Sequence, residues 1–297
     1  MTAPRIVEKG NTVMSTIRCA QRKYLLAPTD PEIAQIFAYC LAYYAREHKI
    51  TLHAAAAMST HLHTVFTDHN ANRGAFLRDL HSKIACCIRA KRGLGSQIFR
   101  KGNSQVRLLT EASVFDKIAY VIANPVAAGA VRYAKDWPGF ISSIAQMESS
   151  TAISKPRHYF KDDKFPETIA LRFEVPTQLG DESDAKSNLQ HLVEKKEEEA
   201  RDAVRKKKWT FTGAERCTKL DHNKEAKAYE VWGSLNPRFS TLGGGQDAYK
   251  KAIEKLKAFL TAHRNALAAW RDGNRKVEFP YGTYKMRVHH CARCAPA

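Results

Sequence analysis

His61 and His63 bracket a single leucine in the stretch Met58-Ser-Thr-His61-Leu-His63-Thr-Val-Phe66. On a β-strand, residues two apart project from one face, so this spacing sets two imidazoles side by side and sends Leu62 and Thr64 to the other face. Two such nitrogens are half of a metal site. A pair of core or surface histidines would give the same spacing, so the pair alone does not decide. A second pattern, Lys117-Ile-Ala-Tyr120-Val-Ile-Ala-Asn124-Pro125, puts Tyr120 and Asn124 four apart on a helix, hence on one face and one turn apart. An asparagine amide oxygen can ligate a hard cation, with the phenol held beside it. A half-buried aromatic and a helix C-cap before proline are the plain alternative.

These side chains need a strand and a helix to carry them. Asn11 to Ala20 reads as a β-branched strand, Asp30-Pro31 opens a helix to about His48, and Ile50 to Ala57 and His61 to Thr67 read as strands around a short connection. Asn72 to Lys91 reads as a basic helix ending at Gly93, Gln105 to Leu109 as a strand, and Glu111 to Ala123 as a helix stopped by Asn124-Pro125. The order β-α-β-β-α-β-α suits an α+β fold: a ferredoxin-like antiparallel sheet with helices mainly on one face. The stretch from Trp137-Pro138-Gly139 through Lys155-Pro156 reads as a boundary between residues 1–150 and a mainly helical, basic region 151–297. Within the second region, Asp181 to Lys208 is charge-dense and reads as a solvated helix or semi-flexible linker. Gly243-Gly-Gly245 reads as a turn or hinge, and Gln246 to Trp270 as an amphipathic helix.

Composition narrows the setting. The 297 residues hold 48 Lys+Arg against 30 Asp+Glu, a formal net charge of +18 shared by both halves, as expected of a chain that meets a polyanion, nucleic acid first. A hydrophobic share of 44% with 26% charged residues excludes wholesale disorder, collagen and a disulfide mini-scaffold. The longest apolar stretch, Leu52 to Met58, contains His53 and is too short to span a bilayer, and Met1 to Arg5 has no signal-peptide core. A soluble, cytoplasmic protein without a membrane partner is expected. Seven cysteines, with Cys86 and Cys87 adjacent, fit a reducing compartment. His289-His-Cys-Ala-Arg-Cys294 is the one cysteine cluster that could take zinc; its single Cys-x-x-Cys near the chain end reads rather as a tail of reduced thiols.

Met58-Ser-Thr-His61-Leu-His63, followed by Tyr120-Val-Ile-Ala-Asn124-Pro125-Val-Ala-Ala-Gly129, resembles the signature of the REP-associated tyrosine transposases, within the single-tyrosine HUH nucleases. The resemblance runs from Pro4-Arg5-Ile6 to Trp137-Pro138-Gly139 and beyond to residue 143. Thr60 stands where many members carry an asparagine before the first histidine. The resemblance implies a ferredoxin-like fold, a bacterial, nucleoid-associated setting and metal-assisted cleavage of single-stranded DNA through a covalent 5′-phosphotyrosine. It makes His61, His63 and Asn124 the metal ligands and Tyr120 the nucleophile, with single-stranded or hairpin DNA as partner. A homodimer, in which the tyrosine serves the other copy's metal site, is left open.

Such a mechanism is physically sound. A free tyrosine has a pKa near 10, so only about 0.1% is ionised at pH 7 and it needs help. A divalent cation can withdraw charge from the scissile phosphate and fix it for in-line attack. Imidazole plus carbonyl oxygen with open positions suits Mg²⁺ or Mn²⁺. Lys117, one turn before Tyr120, could assist, although a solvated surface lysine is the plainer reading. Arg22, Lys23, Arg89, Lys91, Arg92, Arg100, Lys101 and Arg107 are candidates for phosphate contacts, with Tyr24 and Phe99 for base stacking. Lys206 to Lys208 and Trp209 could extend the DNA surface or meet a partner. Two other readings fit the same residues: a non-catalytic single-strand binder, and a metallohydrolase whose nucleophile is water.

Overall fold

The computed structural model describes residues 4–157, 159–160, 164–176, 182–227 and 237–296. Met1 to Ala3, and Asp181 at the start of the charge-dense run, lie outside them. Strand β1 (Asn11–Arg18) leads to α1 (Pro31–His48), whose N-terminus is capped by the Asp30 carboxylate accepting from the Glu32 amide at 2.8 Å. Then follow β2 (Ile50–Met58), β3 (His61–Asp68), α2 (Arg73–Arg92), β4 (Ser104–Leu108) and α3 (Glu111–Ala127). Gly93 ends α2 with φ 62°, a left-handed cap that glycine adopts without strain.

The sheet runs in the order β2-β3-β1-β4, antiparallel throughout, and a two-residue strand at Phe239–Ser240 adds a parallel edge to β4. This is the α+β architecture expected, with the helices divided two to one. Ile17, Ser15 and Val13 of β1 oppose Leu62, Thr64 and Phe66 of β3. That face meets α2, with the Phe66 and Phe76 rings 5.1 Å apart, and α1 lies beside α2. The other face, bearing His61, His63 and Val65, receives α3.

Residues 137–156, read as a boundary, instead cover the outer edge of β2. The Ala57 amide donates to the Phe140 carbonyl, the Ser142 amide to Ala55, and the Trp137 indole to Ala57 at 3.1 Å. A Cβ on Gly139 would stand 2.6 Å from that indole, which explains the glycine. A hairpin of β5 (Ser150–Ser154) and β6 (Thr168–Arg172) then lies over α1, where the Tyr39 hydroxyl donates to the Pro166 carbonyl at 2.6 Å. Buried residues on both sides of residue 150, from Val13 to Val193, form one hydrophobic cluster.

The charge-dense run is a helix, α4 (Glu182–Lys206), and it is not wholly solvated. Ala185, Leu189 and Val193 recur every fourth residue and are buried, giving α4 an apolar stripe that packs on α3. A short α5 (Ala214–Thr218) follows, then β7 (Phe239–Ser240), α6 (Gln246–Arg271) and α7 (Lys285–His290). A second cluster of Ala266, Phe279, Met286 and Ala292 holds the C-terminal segment together. It docks at the end of the sheet remote from His61, where Arg287 donates to the Ala71 carbonyl at 3.1 Å. Among the described residues no helix is long and apolar enough to cross a membrane.

Buried His53 and half-buried His81 carry a pH signature. His53 Nδ1 donates to the Glu174 carbonyl at 2.7 Å while Nε2 accepts from the Thr67 hydroxyl at 2.8 Å, a pattern that needs the neutral ring. Burial pushes both His53 and His81 down to about 4. Unfolded histidines titrate near 6.5, so between these values the unfolded chain binds more protons and stability is lost as the pH is lowered. The contribution is whole above about pH 6.5, and each histidine removes about 2 kcal/mol by pH 5. A urea midpoint that falls between pH 7 and 5, and falls less in His53→Gln, is the expected result.

Candidate active site

Strand alternation brings the two histidines together as the spacing predicts. The His61 and His63 rings lie 4.5 Å apart with planes at 78°. Each is oriented by a hydroxyl on Nδ1: Thr16 Oγ1 stands 2.8 Å from His63, and Thr60 Oγ1 3.0 Å from His61. Thr60 therefore supplies a polar contact at the position where the resemblance would place an asparagine. Thr16 is the direct cross-strand neighbour of His63, and Arg18 that of His61. The sequence reading named neither Thr16 nor Arg18, because which β1 residue faces a given histidine depends on the pairing register.

Helix α3 supplies the other two groups. A capping box between Thr110 and Ser113 fixes its start. It does not stop at Ala123 but continues to Ala127 with Pro125 inside, so Asn124 is a helical residue and not the C-cap. Proline disfavours helix in the residue before it and removes one amide, yet Asn124 is 5% exposed and packed, which offsets that cost. The turn comes later, at Gly129 with φ 66°. Asn124 Oδ1 lies 3.1 Å from His61 Nε2, and the Tyr120 ring centroid lies 5.6 Å from that of His63. Tyr120 is 37% exposed, with its ring edge-on to that of His63.

The donor set fits a divalent cation. His63 is 3% exposed, and its Nε2 is buried with no hydrogen-bond partner, a costly state for a polar atom unless something binds it. Burial first, then the neighbouring His61 and Arg18, holds this ring well below the usual imidazole range, so it stays neutral with a lone pair for ligation. Adjacent ligands about 2.1 Å from an octahedral cation stand about 3 Å apart, which the Asn124 and His61 atoms match. Among the described residues no group of three or more His, Cys, Asp or Glu side chains is placed to hold a metal ion. In the C-terminal Cys-x-x-Cys, Cys291 is exposed and the Cys294 thiol faces the Thr283 and Ala292 carbonyls. Replacing Thr16 by Val frees the His63 ring to reorient and should weaken Mn²⁺ binding about 10- to 100-fold in a calorimetric titration.

Lys117 is not a freely solvated lysine. Its Nζ lies 2.8 Å from Asp116 Oδ2 and 5.7 Å from the Tyr120 ring centroid, while Lys196 of α4 reaches Asp116 Oδ1 at 2.6 Å. Burial would raise the Asp116 carboxyl, but hydrogen bonds and charge from the two ammonium groups outweigh it and hold the carboxyl below its usual value. A positive group beside the phenol is thus fixed through a carboxylate that α4 shares.

The proposed phosphate contacts divide. Arg100 lies at the His61 end of the sheet, its amide bonded to the Arg18 carbonyl, and Arg22 and Lys23 follow β1 with their backbone bridged to Ala226 and Glu225. Lys101 is exposed, and Arg89 donates weakly to Cys86 Sγ. The other three serve the fold. Lys91 is paired with Asp30 and Glu32, Arg92 binds the Leu25 and Ala27 carbonyls, and Arg107 pairs with Glu8 on the far face. Phe99 is 5% exposed and packs in the core, where it cannot stack on a base; Tyr24 is half-buried.

No family model matches the sequence, and no curated protein does. Among solved structures the chain is similar to a REP-associated tyrosine transposase bound to a REP hairpin, with 19% identity and a TM-score of 0.41 over 49% of this chain and 84% of that one. It is also similar to a transposase candidate from Deinococcus radiodurans R1, with 14% identity and a TM-score of 0.28 over 36% of this chain and 85% of that one. Both likenesses are at low identity and low TM-score.

Proposed function

We propose that this protein is a metal-dependent endonuclease and strand transferase for single-stranded or hairpin DNA, working through a covalent 5′-phosphotyrosine. What supports the reading is the proximity of the four side chains: Asn124 Oδ1 is 3.1 Å from His61 Nε2, the His61 and His63 rings are 4.5 Å apart, and the Tyr120 ring is 5.6 Å from that of His63, whose Nε2 is buried without a partner. The net charge of +18 and the sequence resemblance supply the substrate class. Residues 1–150 would carry the chemistry, and residues 151–297 would support it from α4.

His61, His63 and Asn124 would hold Mg²⁺ or Mn²⁺, which when bound draws charge from a phosphate oxygen and orients the phosphorus. Thr16 and Thr60 hold the two rings through their Nδ1 atoms, which would fix the Nε2 atoms for ligation. Tyr120 attacks phosphorus, the bond to the 3′ oxygen breaks, and the new phosphotyrosine ester keeps the strand activated for rejoining to another 3′ hydroxyl. Lys117, held by Asp116, offsets negative charge as the phenol gives up its proton to solvent. The test is incubation of end-labelled single-stranded and hairpin oligonucleotides with the protein, with and without Mn²⁺. Mn²⁺-dependent cleavage, with one product retained on the protein in denaturant, supports the reading. Binding without cleavage would leave a non-catalytic binder in its place.

A further inference from the structure

We infer that Lys206 to Trp209, at the end of α4, form a stacking and phosphate-binding platform for the single strand that passes the Tyr120 site, an inference that rests on the DNA-processing reading above. Trp209 is 60% exposed, the most open of the large hydrophobic side chains described. Lys207 Nζ lies 4.7 Å from the centre of its ring. Lys206, Lys207 and Lys208 form no ion pair among the described residues, whereas Arg201 and Arg205 just before them are paired with Glu197 and Asp202. Unpaired ammonium groups beside an open indole make the combination that holds unpaired nucleotides: charge for the backbone and a π-face for a base.

The backbone at this point favours the same conclusion. Lys208 has φ 54°, a left-handed conformation in which glycine is unstrained and lysine is not. The Trp209 amide bonds back to the Val204 carbonyl and the Lys208 amide to Arg205, which ends α4 and swings the chain away from its axis. Glycine would serve that turn better, yet the position holds a charge.

The placement ties the platform to the site. The Thr212 and Gly213 amides bond to the Gly129 and Ala130 carbonyls, and Cys217 is buried with Val131, so the chain after Trp209 wraps the turn that ends α3. Ala127, the last residue of α3, lies about 4.5 Å along the helix beyond Asn124, and Gly129 follows two residues later. Tyr133, 41% exposed with the Arg201 guanidinium 5.1 Å from its ring, sits on the same turn. Phe211, two residues on, is half-buried against the core and does not stand open beside Trp209. That argues for a nucleic acid and against a protein partner.

The experiment uses the full chain carrying Tyr120→Phe, so that no covalent product accumulates, and a fluorescent oligothymidylate of about twenty nucleotides read by anisotropy at several salt concentrations. Loss of one stacked base predicts that Trp209→Ala weakens binding about 5- to 150-fold, while Trp209→Phe stays within about threefold. Changing Lys206, Lys207 and Lys208 together to Gln should lower the slope of log affinity against log salt by about two. Affinity of Trp209→Ala within about twofold of its parent, with the salt slope of the lysine variant unchanged, overturns the platform. If the chain bearing Tyr120 still traps DNA covalently in that case, the proposed function stands alone. Binding of anionic vesicles with no binding of oligonucleotide overturns both.

Discussion

Tyr120→Phe will bind oligonucleotide as the parent does and will form no covalent DNA adduct, with cleavage reduced by about 10⁴-fold or more, the scale on which a hydroxyl nucleophile contributes. The substitution removes one oxygen from a ring that is 37% exposed and leaves its packing against His63 in place, so the fold should be unaffected. The readout is the fraction of end-labelled DNA that migrates with protein under denaturing conditions. The result also separates two chemistries that share the same metal site. If water were the nucleophile, the phenylalanine variant would retain most of its cleavage, because His61, His63 and Asn124 are untouched. Retained cleavage in this variant would therefore transfer the reaction to a metallohydrolase.

His63→Ala should produce the second large effect, a loss of about 10³-fold or more in cleavage, and the loss should not be recovered by raising Mn²⁺ within a practical range. His63 is the most deeply placed of the three proposed ligands, with one nitrogen on Thr16 and the other unpartnered. Removing a buried ring also leaves a cavity, so the variant's unfolding midpoint has to be measured alongside its activity. Thr16→Val provides the graded control, since it keeps the ring and loses only its orientation. A metal response intact in His63→Ala would remove this residue from the ligand set.

The proximity of the candidate side chains could be read in part from spacing. Two imidazoles two residues apart on a strand share a face whatever the rest of the fold does, and Tyr120 and Asn124 share a helix face for the same local reason. The hydrophobic alternation and the Asp30-Pro31 and Gly93 signals placed the flanking elements within a few residues. What escaped the sequence was pairing and burial. Thr16 and Arg18 join the site only through the register of β1 against β3, which is set by nonlocal pairing. Helix α3 ran through a proline expected to stop it, because burial of Asn124 against His61 outweighed the local preference. Lys91, Arg92 and Arg107 looked like phosphate ligands in a basic chain, but each found a carboxylate or carbonyl that sequence distance concealed. The same holds for Lys117 and Lys196, which meet at Asp116 only once α4 packs along α3.

The contact between α4 and α3 bears on the proposed reaction. Helix α3 carries both the proposed nucleophile and a proposed ligand, so any shift of it along the sheet changes the distance from phenol to phosphate, and reaction rates are steep in that distance. The Asp116 carboxylate, gripped by Lys117 and Lys196, ties the helix to a segment outside the motif-bearing half of the chain. Residues beyond 150 can thereby set the geometry of a site they do not line.

The most direct test is peptide mapping of the trapped complex by mass spectrometry after the protein is incubated with single-stranded DNA and Mn²⁺ and then digested with nuclease and protease. The expected result is a nucleotide 5′-phosphate mass on the peptide that contains Tyr120, present with Mn²⁺ and absent without it. Cleaved DNA with an unmodified Tyr120 peptide, or the same mass on a different tyrosine, would contradict the assignment of Tyr120 as the attacking group.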